Sequence, residues 1–152
     1  MTESLFDEPS ISRQWVLRRL QQALTLDLAA GALLDGLART CARSARTSMD
    51  DLAEAAHQRA ATVREIILDE GGTPYSSVGL ARACSRAGGF VLGPISLIWR
   101  PGLRLLAEHT LQEYDALAAQ LRSAPGISPD LRDRAQPLFE SAQQGHRLAD
   151  QR

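Results

Sequence analysis

Apolar residues recur every three or four positions along four stretches of this chain, the spacing that places them on one face of an α-helix. The first stretch runs without proline from about Arg13 to about Arg46, and Val16, Leu20, Ala23, Leu24, Gly31, Leu34, Ala38, Cys41 and Ala45 form its stripe. Ser10 or Ser12 serves as its N-cap. A second helix is expected to begin at Thr47 or Ser48, with Asp50 and Asp51 in its first turn, where negative charge favours the helix dipole. Gly71 and Gly72, followed by Pro74, close it near Glu70. A third starts near Pro101 and runs to about Arg122, its stripe being Leu103, Leu106, Ala107, Thr110, Tyr114, Leu117 and Leu121. Ser128 caps a fourth, with Pro129 in its first turn and Leu131, Ala135, Phe139, Ala142, His146 and Ala149 facing inward.

Residues 75–100 break the pattern, because Gly79, Gly88, Gly89, Gly93 and Pro94 interrupt an apolar stretch that ends in FVLGPISLIW. A short helix over 76–87 fits within this segment, which reads as a long crossover joining two helical hairpins. Its apolar run is far below the roughly 20 residues needed to span a bilayer. The pattern therefore predicts an all-α fold: an antiparallel four-helix bundle of the ferritin-like kind, with a long crossover containing a short extra helix. Residues 1–10 are expected to form a flexible N-terminal arm and residues 11–152 the bundle domain.

Composition narrows the function classes. With 152 residues, of which 44% are hydrophobic, the chain has the size of one domain and can bury a core. The net charge of -1 gives no basic field for nucleic acid and no acidic excess of the kind that favours disorder. All 17 basic residues are arginines and they are dispersed, which reads as a coding bias. Cys41 and Cys84 lie far apart without a Cys-x-x-Cys spacing, so both are expected to be buried free thiols. The acidic start MTESLFDEPS leads into no apolar targeting core, and a cytoplasmic location is the expectation.

Polar residues placed on the helices bring in candidate chemistry. Ferritin-like two-metal sites take one carboxylate from each of two helices and a Glu-x-x-His pair from each of the other two, since residues three apart share a helical face. In chain order this sequence offers Asp27, then Glu54 and His57, then Glu108, then Gln143 and His146. With that ligand order, the glycine-rich segment AGGFVLGPISLIWRPG, the helix LAEHTLQEYDALAAQLR and the run LFESAQQGH, the chain resembles the demethoxyubiquinone hydroxylases. These are ferritin-like di-iron monooxygenases that act on a membrane quinone precursor. The resemblance implies metal ligation by Asp27, Glu54, His57, Glu108, Gln143 and His146, and iron or manganese as the metal.

The departures from that pattern are chemical. Gln143 stands where the family has a carboxylate, and a neutral amide neither donates charge to iron nor bridges two ions well. Asp27 is one methylene shorter than the expected Glu. In the family a tyrosine follows the third helix's ligand by seven residues, and counting back from Tyr114 lands on Ala107, one position from Glu108. At about 100 degrees per residue, Asp27 lies at the centre of its stripe and His146 within about 50 degrees of its own. His57 falls roughly 90 degrees away, and Glu54 and Glu108 nearer 150 degrees, toward solvent.

The sequence thus reads as a ferritin-like bundle with a degenerate two-metal site, acting as a binding or assembly module and holding metal at sub-stoichiometric levels. A working di-iron or di-manganese oxidase or hydroxylase on an apolar substrate is the alternative. A second alternative is a membrane-surface helical protein that rests its apolar crossover on lipid, with Arg86, Arg100 and Arg104 at the head groups. The partners to expect are a second copy of the chain or another helical protein, with peripheral membrane contact. Asp27, ionised in an apolar stripe, needs a partner, and a histidine, His146 or His57, is the expected one if no metal is held.

Overall fold

The computed structural model describes residues 8–74 and 99–151. Four helices account for nearly all of them: α1 (Glu8–Thr40), α2 (Arg43–Asp69), α3 (Trp99–Ser123) and α4 (Pro129–Asp150), with no strand among the described residues. The short helix expected over 76–87, most of the expected crossover and Cys84 lie outside the described residues. So does the expected arm up to residue 7, while Glu8–Ser10 are already helical. No helix among the described residues is long and apolar enough to cross a membrane.

The later boundaries follow their cap signals. The Ser128 side chain accepts a hydrogen bond from Leu131 N at 3.2 Å and Pro129 opens α4, so an otherwise orphaned amide of the first turn is satisfied. Gly71 closes α2 with a φ of 77°, a left-handed conformation that glycine adopts without a Cβ clash. Pro137 sits inside α4 on its exposed side.

The joint between α1 and α2 differs from the expected one. The break falls at Cys41 and Ala42 instead of near Arg46, and α2 starts at Arg43, so Asp50 and Asp51 lie well inside the helix instead of in its first turn. Ala42 is extended and provides no side-chain cap. Arg46 Nε instead reaches back to Ala38 O at 2.9 Å and satisfies a terminal carbonyl of α1. Packing sets the turn: Met49 and Ala53 must meet Leu34, Leu37 and Ala38 in one cluster. Cys41 carries a free thiol and is half-buried at this turn.

Each helix has two neighbours: α1 packs on α2 and α3, and α4 packs on the same two. The start of α1 meets the end of α2, where Arg13 Nη2 donates to Glu70 O at 2.7 Å and Gln21 Nε2 to Thr73 O at 2.6 Å. Arg104 at the start of α3 pairs with Asp150 at the end of α4 at 3.0 Å. Arg134 near the start of α4 reaches Asp69 at the end of α2 at 2.8 Å. The end of α1 and the start of α3 meet where Leu34 and Leu37 cluster with Leu103. Two apolar clusters result. The larger holds Val16, Leu20, Leu24, Ile66, Leu117 and Leu138 among others, and the smaller sits around Leu34, Met49 and Leu103.

Candidate functional site

Between the two clusters lies a polar layer to which every helix contributes one side chain. Asp27 of α1 is wholly buried at 0% exposure, Arg59 of α2 is 7% exposed and Tyr114 of α3 is 0% exposed. Arg59 Nη2 donates to Asp27 Oδ1 at 2.7 Å and Nε donates to the same oxygen at 3.0 Å. Nε also approaches Oδ2 at 3.3 Å. The Tyr114 hydroxyl donates to Asp27 Oδ2. On the far side of the guanidinium, Nη1 donates to Ser141 Oγ of α4 at 3.1 Å. The Arg59 Cζ lies 5.8 Å from the Tyr114 ring centre, and Phe139 meets the same ring edge-on at 6.4 Å. Both are favourable contacts for a buried cation and a buried ring.

Burial pushes the Asp27 carboxyl above the ordinary carboxylate range, against the pull of the Arg59 charge and of the hydrogen bonds from Arg59 and Tyr114. The Tyr114 phenol is pushed far above its ordinary value, first by burial and then by the neighbouring Asp27 carboxylate. Tyr114 therefore keeps its proton and acts as a donor. A lone buried carboxylate would cost several kcal/mol, roughly, and the fork of Arg59 supplies the charge-assisted bonds that offset it.

The expected partner of Asp27 was a histidine, and the structure gives Arg59 and Tyr114 instead. His57 turns outward, 43% exposed, and its Nε2 lies 2.9 Å from Asp35 Oδ2. Its ring lies over Gly31, where an added Cβ would come within 2.6 Å of His57 Cε1, so this glycine is required for close approach. Glu54 is exposed and accepts a hydrogen bond from Gln58 at 2.9 Å. Glu108 and Gln143 are exposed. His146 is half-buried in the wall of an interior cavity, as is Ala107. Among the described residues, no group of three or more His, Cys, Asp or Glu side chains is placed to hold a metal ion.

Sequence reasoning passed over Arg59 because arginines occur throughout the chain. A signal was present nonetheless. Arg59 stands seven residues from both Leu52 and Ile66, so it occupies a heptad position that is otherwise apolar. No family model, no curated protein and no solved structure matches this chain.

Proposed function

We propose that this chain is a ferritin-like helical bundle in which a guanidinium stands where such bundles hold metal, and that it works as a binding or assembly module without a metal centre. The observation that carries this reading is the buried Arg59 fork on Asp27, at 2.7 and 3.0 Å. A divalent ion at the same carboxylate would face a fixed positive charge at contact distance and would compete for oxygens already engaged. The remaining implied ligands do not fit a two-metal centre either. Glu54, Glu108 and Gln143 are exposed, and His57 is paired with Asp35.

The ferritin-like order is supported by the pairing of helix ends. Each helix runs antiparallel to its two neighbours, α2 ends at one end of the bundle and α3 begins at the other. The metal-free reading is tested by elemental analysis after anaerobic incubation with ferrous or manganous ion and desalting. The expected outcome is no retained stoichiometric metal and no metal-dependent rise in melting temperature. Two tightly held ions per chain would overturn it.

A further inference from the structure

Arg59 of the polar layer lines a cavity of about 30 Å³. That is room for a water or for the head of a small ligand. Apart from Arg59, its polar liners are Thr110 and His146, and the rest is apolar, with Leu34, Leu52, Leu103 and Leu106 as the larger side chains. Leu52, Leu106, Ala107 and His146 are the half-buried residues of its wall and form its rim.

A guanidinium carries five N–H groups. Arg59 directs Nε–H and one Nη2–H to Asp27 and one Nη1–H to Ser141, which leaves one N–H on each terminal nitrogen without a protein partner among the described residues. The side chain is 7% exposed, and the cavity is the space on which it borders. Asp27 is absent from the cavity wall, so the cavity meets the cation and not its counter-ion. The Thr110 hydroxyl donates to Leu106 O at 2.9 Å and leaves its oxygen as an acceptor.

We propose that this cavity binds a small monocarboxylate with a short aliphatic body, a proposal that rests on the binding-module reading and names its ligand class. The two oxygens of a carboxylate accept from the two free N–H groups of Arg59 in the planar geometry that guanidinium favours. The aliphatic body lies along Leu103 and Leu106 toward the rim. A phosphate would bring more oxygens than these walls have donors for, and an amide would offer one uncharged acceptor oxygen to two donors.

The test is isothermal titration of the full chain with butyrate, butyramide, butylammonium and inorganic phosphate. Butyrate is expected to bind saturably, one per chain, with the other three at least about tenfold weaker. Gly145 lines the cavity, and an added Cβ there meets only Leu52 Cδ2 at 3.7 Å, so Gly145→Met can thread its side chain into the space. This variant is expected to keep its helical circular dichroism and lose butyrate binding, and Ala107→Leu serves if Gly145→Met does not fold. No saturable binding of butyrate, equal binding of butyramide or phosphate, or undiminished binding in a folded blocked variant would each overturn the proposal. Two retained ferrous ions overturn the metal-free reading whatever butyrate does, whereas failure of butyrate alone removes only this site.

Discussion

The two halves of the bundle on either side of the Asp27 layer are built from different stock. On the α1 N-terminal side the core is filled by large branched side chains, Leu20, Leu24, Val63, Ile66, Leu117 and Leu121, all 2% exposed or less. On the other side the positions next to the layer are Ala30, Ala56, Ala107 and Gly145, and a cavity remains among them. Both halves share the same four helices, so the elements themselves do not explain the difference. Side-chain volume does. One half resembles the interior of any stable domain, and the other gives up contact area to keep a space beside a buried cation.

The largest effect is expected where the halves join. Removing Arg59 alone, as in Arg59→Met, strands the Asp27 carboxylate and should cost about 3 to 5 kcal/mol in urea denaturation. The double change Asp27→Leu with Arg59→Met should be at least as stable as either single variant, because an apolar pair carries no desolvation penalty. A single Arg59→Met as stable as the wild type would show that the layer does not act as a pair.

Truncation compares the halves directly. Leu20→Ala in the filled half should cost about 4 kcal/mol, whereas Leu34→Ala, at the edge of an existing cavity, should cost about 2. Equal losses would mean that the halves are packed alike. The smallest effect comes from two glycines. Gly145→Ala adds a methyl group where there is room and should stabilise by about 0.5 to 1 kcal/mol. Gly31→Ala drives a methyl group against the His57 ring and should destabilise by about 1 kcal/mol, with displacement of the ring visible as a change in the His57 side-chain NMR resonances at fixed pH.

Much of this architecture is legible in the hydrophobic pattern, because helical phase is a property of neighbouring residues. Phase placed Asp27 at the centre of the α1 stripe and Glu54 and Glu108 toward solvent, and all three are found so. Ser128, Pro129 and Gly71 marked helix ends by local chemistry. The turn at Cys41 and Ala42 carried no such mark, since packing of Met49 on Leu37 decides it. The partner of Asp27 was hidden for a related reason. Phase says which residues face inward on one helix but not which inward residues share a level on two, and that level depends on where the turn falls.

The four members of the polar layer are divided unevenly between the two hairpins. Asp27 and Arg59 both belong to the first, and the second supplies only the uncharged Tyr114 and Ser141. During synthesis from the N-terminus, the first hairpin can neutralise its own charges before the second exists. The second hairpin adds only hydroxyls to that ion pair. The order in which the chain emerges thus matches the order in which its most costly groups need company.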